Sequence, residues 1–318
     1  MGLAGLALAW HRATPWLGGW ATRVAQGIAV VATIACVVLL VATLLRGLRH
    51  PEAWAEDRRH PMRHTFIAAL PIALLLLATV AVALRGPSLA ASVVWGLASL
   101  SLLAVTLWTL SRWWQGPAVG GLPWGAVTPA LFIPVVGNVV VPLAGVPLGQ
   151  LEWSAAQFGV GLLFWPVVLV LLVVRLAVQG MWPARLLPAS FILIAPPAVI
   201  GLSALQFGAP APLVWMLWGM AMFCLAWVGV LARRILALPF AVPHWGLSFP
   251  LAALAALTLR LAAPNGLLAA PGSPLAGAGL ALLALASVVI AALTVATIRG
   301  LRDGSLLVPE PAPVAAPG

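Results

Sequence analysis

The chain has 318 residues, 63% of them hydrophobic and 7% charged, with a mean hydropathy of +1.12. Soluble domains carry about 25% charged residues, so a sizeable water-facing domain is excluded. The net charge of +10 comes from arginines set singly or in short groups near the ends of apolar runs, a distribution that fits membrane orientation and not a nucleic-acid surface.

There is no lysine, and Ala, Gly and Pro are abundant; codon bias in a GC-rich bacterial genome accounts for this. Cys36 and Cys224 lie within apolar runs, where free cysteine acts as a small hydrophobe, so no disulfide or redox chemistry is expected. Met1 opens directly into Gly2–Trp10, which lacks a charged signal-peptide start and is shorter than the roughly 20 residues a span needs. It reads as the second half of a first helix.

Nine further spans follow in order. The second runs from about Arg23 to Leu48. A polar stretch from Arg49 to His64 leads to the third, about Thr65 to Leu84, which contains Pro71. The fourth covers about Ser88 to Trp113. After a glycine-rich loop, the fifth covers Thr128 to Leu143, with Pro129, Pro134, Pro142, Gly137 and Asn138 inside it. The sixth, about Trp153 to Val174, holds Pro166. The seventh, about Ala184 to Leu205, holds Pro188, Pro196 and Pro197. The eighth covers about Leu213 to Leu236. The ninth, about His244 to Leu261, contains Phe249-Pro250; the tenth runs from about Leu275 to Ile298. Residues 1–302 are therefore read as the transmembrane domain. The Pro/Ala/Val tail at 303–318 is expected to be a disordered cytoplasmic extension.

Prolines interrupt spans three, five, seven and nine; among the even spans only the sixth carries an internal one. Proline removes a backbone donor and bends a helix. In lipid the freed carbonyl must find protein or cavity water, so bent helices belong around a cavity and smooth ones against lipid. The expected fold class is an all-α polytopic membrane protein: ten helices, the first truncated, as five hairpins around a central pore. Pro71, Pro134, Pro196 and Pro250 are the expected kinks. Twelve arginines follow even spans and four follow odd ones. The positive-inside rule then places both termini in the cytoplasm of a bacterial inner membrane.

No Asp, Glu, Lys or Arg falls near the middle of a span. A charge there would cost about 2.5–3.5 kcal/mol and usually marks a proton or ion relay. A neutral pore in a basic protein fits passive anion movement. Glu152 is read as a solvated interfacial residue. His60 and His64 flank Pro61 in a polar loop, and no metal site is expected there. No Ser–His–acid set is in plausible reach, so the chain is read as a non-enzyme with no cofactor. Most of the sixteen tryptophans, including Trp10, Trp113, Trp153 and Trp245, are expected to be interfacial anchors. Phe249 is open to two readings: a core aromatic, or an apolar stopper that closes a pore by excluding water.

Several stretches resemble one family. Phe132-Ile133-Pro134-Val135-Val136-Gly137-Asn138 with Val141-Pro142-Leu143-Ala144-Gly145 is similar to the fifth-helix signature of TehA-type tellurite-resistance proteins. That family also holds plant slow-type anion channels and fungal malate transporters. Glu52 to Phe66, Ile194-Ala195-Pro196-Pro197-Ala198, Trp245 to Pro250, and Gly2 to Trp10 resemble its loop before helix three and its seventh, ninth and first helices. The resemblance implies a quasi-fivefold array with odd helices inside, a homotrimer with one pore per subunit, and occlusion of each pore by the phenylalanine matching Phe249. Gly5, Gly137, Asn138 and Ser248 are the candidate pore-lining residues. The implied function is passive conduction of small anions, the partners being those anions and membrane lipid. The alternative is a proton-coupled transporter or exporter of C4-dicarboxylates, sulphite or tellurium oxyanions.

Overall fold

The computed structural model describes residues 1–60, 62–115, 121–263 and 274–307. Pro61, the glycine-rich loop at 116–120 and tail residues 308–318 lie outside the described residues. Among the described residues every regular element is helical. Asp303–Leu307 form a short turn against the last helix, with the Ser305 amide donating to Asp303 Oδ1 at 2.9 Å.

Two kinds of helix alternate along the chain. The even spans are long and continuous: α3 (Gly19–Arg49), α6 (Leu89–Trp113), α9 (Leu151–Gln179), α11 (Ala211–Gly229) and α14 (Pro274–Arg302). Between them lie α1 (Gly2–Arg12), α5 (Ala69–Arg85), α10 (Ala195–Gln206) and α13 (Ser248–Ala262). The fifth span is broken into α7 (Phe132–Val136) and α8 (Pro142–Gly145), with 3-10 turns before and between them. Two short helices, α2 (Thr14–Leu17) and α12 (Ala232–Leu236), are connectors; α4 (Pro51–Arg59) holds the polar loop. Among the described residues eight helices are long and apolar enough to cross a membrane. The expected number of ten adds α1 and the shorter apolar segment Pro129–Gly145.

The expected kinks take a more specific form. Residues 63–68, 184–194 and 242–247 are 3-10 helix, and each continues directly into α5, α10 or α13. Pro71, Pro197 and Pro250 are the third residues of those α segments, and Pro134 is the third of α7. A proline ring collides with the carbonyl four residues earlier in α geometry. Tightening the preceding turn to 3-10 relieves that collision. The prolines therefore mark where helix type changes.

Burial separates the two sets. Half or more of the apolar window is buried in the spans containing α5, α10 and α13 (50%, 83% and 72%), against 11–33% in the five even spans. The inner helices touch in a closed cycle: α1 on α5, α5 on α8, α8 on α10, α10 on α13, and α13 back on α1. Each outer helix seals this cycle from outside. For example, α3 packs on α1 and α5, and α14 packs on α13 and α1. A lipid-facing helix can expose Val38, Leu39 and Leu97 because the hydrocarbon around it is as apolar as they are.

Polar side chains hold the broken fifth span. Its irregular turns leave carbonyls without helical partners, which must be satisfied within the protein. Thr106 on α6 donates to the Pro134 carbonyl at 2.6 Å, and Trp95 to that of Val141 at 3.0 Å. Ser203 on α10 donates to the Val139 carbonyl at 2.6 Å, and Trp182 to that of Val127 at 2.9 Å.

Candidate functional site

A cavity of about 310 Å³ lies on the axis of the inner cycle, and every inner span contributes to its wall. Gly5, Leu8 and Arg12 come from α1; Leu76, Thr79, Val82 and Ala83 from α5; Leu143 from α8 and Pro147 just beyond it. Val199, Leu202, Leu205 and Gln206 come from α10, and Phe249, Ala253, Ala256 and Arg260 from α13. Spacings of three, four and seven residues put each set on one helix face. The wall is mostly aliphatic, its polar side chains being Thr79, Gln206 and the two arginines.

The cavity reaches the C-terminal ends of the inner helices, where Arg12 and the exposed Arg260 sit. Phe249 occupies the opposite end, in the first turn of α13. At 1.5 Å rise per residue, the eleven residues from Phe249 to Arg260 span about 16 Å. The ring lies against α1 at Gly5, where an added Cβ would be 3.0 Å from Phe249 Cδ2 and 3.3 Å from Ala252 Cβ. Glycine there lets the backbone of α1 approach the aromatic ring closely. Beyond Phe249 the inner spans continue as the 3-10 segments.

Of the four candidate lining residues, Gly5 faces the cavity. Ser248 is buried, donates to the Trp245 carbonyl at 2.6 Å, and abuts Gly2. Gly137 faces Ile72, whose Cδ1 would lie 2.5 Å from an added Cβ. Asn138 is fully buried and turned toward the outer helices. It donates to Thr106 Oγ1 at 2.8 Å and to the Val135 carbonyl at 2.9 Å, and accepts from Gln157 Nε2 at 2.8 Å. Gln157 in turn bonds both the hydroxyl and the carbonyl of Ser99, and Trp153 donates to that hydroxyl. None of these three, nor Pro71, Pro134, Pro196 or Pro250, belongs to the cavity wall.

A family model described as SLAC1, voltage-dependent anion channel, matches residues 1–298. The chain belongs to the SLAC1 family. Two relatives from Arabidopsis thaliana are S-type anion channels: SLAH2, 25% identical over 222 residues, and SLAH3, 26% identical over 245 residues. The alignments cover 69% and 74% of this chain but 42% and 36% of those proteins, so the chain spans under half the length of these plant relatives. A tellurite resistance protein TehA homolog from Haemophilus influenzae is 24% identical over 259 residues, covering 80% of this chain and 76% of that protein.

Within this SLAC1-family chain, sequence reading missed Arg12 and Arg260 as cavity residues, because both looked like helix-end orientation charges. Their signal was the seven-residue step from Gly5 to Arg12 and the eleven-residue step from Phe249 to Arg260, which keep each pair on one face. It also missed the pinning role of the tryptophans. Trp10 donates to Ser287 at 3.1 Å, Trp218 to Thr258 at 3.0 Å and Trp245 to Thr297 at 2.9 Å, each joining neighbouring helices. Among the described residues no cluster of three His, Cys, Asp or Glu side chains could hold a metal ion.

Proposed function

We propose that this protein is a passive channel for small anions, and that the Phe249 ring occludes its conduit. The observation that carries the reading is the cavity itself, walled by all five inner spans and ended by that ring. An apolar constriction opposes ion passage because the ion must shed water without replacement contacts. A ring on the first turn of α13 clears the axis by a modest rotation of that turn or of its own side chain. Family membership and the names of the plant relatives support anions as the permeating class. The cavity wall carries guanidinium groups and no carboxylate, which favours anion over cation passage and gives a proton relay no acidic residue in this wall.

On this reading the protein sits in a bacterial inner membrane with both termini cytoplasmic and the cavity open to the outside. It assembles as a homotrimer with one conduit per subunit. Candidate permeants include halide, nitrate, small carboxylates and the tellurium oxyanions named by the Haemophilus relative.

The test is current through planar bilayers containing purified protein. Phe249→Ala should raise anion conductance by at least about tenfold, equivalent to about 1.4 kcal/mol of barrier, with the reversal potential following the anion gradient. Unchanged current from a correctly assembled variant would remove the gate. Flux that requires an imposed pH gradient, and ignores voltage, would replace the channel with a coupled transporter.

A further inference from the structure

Arg12 and Arg260 close the last turns of α1 and α13, two inner helices that touch each other, and both line the cavity mouth. Neither guanidinium makes a hydrogen bond or ion pair among the described residues. Some arginines on the opposite face of the protein have partners. There Arg46 lies 2.7 Å from Asp57, Arg63 lies 3.4 Å from both Glu56 and Asp57, and Arg112 donates to the Arg58 carbonyl at 2.6 Å. The acidic residues of α4 thus pair with Arg46 and Arg63, and among the described residues no carboxylate reaches the two guanidinium groups at the mouth of the cavity. Arg12 is partly buried, which deprives its charge of part of its hydration.

The surroundings bear on what would complete them. Gln206, also in the wall, adds an amide donor close to the mouth, and below it the lining is aliphatic. Guanidinium presents a planar fork of N–H donors whose geometry matches carboxylate and similar planar oxyanions better than a spherical ion. We infer that Arg12 and Arg260 form a binding site at the cavity mouth for a small planar oxyanion, of the carboxylate or nitrate type, held ahead of the Phe249 ring. The cavity has room for such an anion with some of its water. The site rests on the conduit reading only for its role in permeation; the binding itself stands on the two unpaired cations and the cavity.

A simpler role also exists. Cations in the last turn of a helix offset the negative end of its dipole, and that role involves no ligand. The experiment therefore reads ligand dependence. Thermal unfolding of the full-length protein in detergent is followed in sodium formate, nitrate and chloride at equal ionic strength. A ligand bound only by the folded state raises the transition temperature with concentration. Formate and nitrate should raise it more than chloride, and that difference should vanish in the Arg12→Gln/Arg260→Gln double variant. Persistence of the difference in the double variant would place oxyanion recognition elsewhere and overturn the site. Equal responses to chloride in the wild type would reduce the pair to undirected charge and overturn oxyanion recognition. If the Gln variant does not fold, Arg12→Lys/Arg260→Lys keeps both charges and removes the forks; it should retain a response to anions and lose the preference for formate and nitrate.

Conductance provides the second arm, on the Phe249→Ala background. Neutralising both arginines should lower current carried by anions arriving from the cavity side at low salt. The deficit should disappear near 1 M salt, where the Debye length is about 3 Å. The arms fail separately. No current from Phe249→Ala with an intact arginine-dependent thermal response removes the conduit and keeps the site. Good current with a thermal response indifferent to the arginines removes the site and keeps the conduit.

Discussion

Gly5 and Asn138, both candidates for the pore lining, occupy opposite sides of the inner wall. Gly5 lacks a side chain, so its position depends only on where α1 runs, and α1 runs against the Phe249 ring. Asn138 carries an amide that must be satisfied wherever it is buried, and its partners lie outward on α6 and α9. In the linked set Ser99–Gln157–Asn138–Thr106, both amide groups use every N–H they have. Asn138→Ala leaves Gln157 and the Val135 carbonyl short of partners, so we expect a loss of about 1–3 kcal/mol, read as a lower unfolding temperature in detergent. The current of Phe249→Ala should be unaffected by adding Asn138→Ala, since the amide is absent from the cavity wall. A changed anion selectivity in that double variant would return Asn138 to the conduit.

Helices carry the next level of organisation. Proline at the third position of an α segment costs little, because the first four N–H groups of that segment have no α-helical acceptor within it. Proline in a helix interior removes a bond and costs about 3 kcal/mol. Pro250 is of the first kind, and Pro166, exposed on the outer face of α9, is of the second. We expect Pro250→Ala to change stability by less than about 1 kcal/mol, and Pro166→Ala to stabilise by about 1–3 kcal/mol by restoring an N–H bond to α9 and removing the ring's clash with the preceding turn. Comparison of their unfolding temperatures checks both. A large loss at Pro250 would mean that the proline ring itself, and not the helix-type change it accompanies, holds the inner span in place. Small residues matter at this scale too. A Cβ on Gly161 of α9 would lie 2.9 Å from the Val139 amide nitrogen and 3.1 Å from the Val136 carbonyl oxygen. Only glycine lets that outer helix reach the backbone of the broken fifth span, and Gly161→Ala should separate the two and destabilise the fold.

For the molecule as a whole, the two faces differ in charge. Arg46, Arg49, the α4 segment, Arg112, Arg233, Arg234, Arg299 and Arg302 lie on the face opposite the cavity mouth. From the positive-inside rule we expect that face to lie in the cytoplasm. A label-accessibility experiment decides the matter. With Cys36 and Cys224 replaced by Ala, Leu89→Cys at the exposed first residue of α6 should react with an impermeant maleimide in intact spheroplasts. His50→Cys should react only after the membrane is opened. The reverse pattern would invert the protein and turn the cavity toward the cytoplasm.

Membrane insertion and proline chemistry act over single helices, so they can be read along the chain. The long apolar runs, the division into smooth and proline-bearing spans, and the bias of arginine toward one face follow from hydration cost and backbone donors alone. The residues quoted from the first, fifth, seventh and ninth spans also carried the family. Packing between distant spans is a different matter. That α13 returns to α1 and closes the cycle, that Asn138 turns outward while Gly5 meets Phe249, and that Arg12 and Arg260 share one mouth are all contacts between segments far apart in sequence. Each is settled by which side chains can fill and satisfy a common interior, a condition no single helix contains.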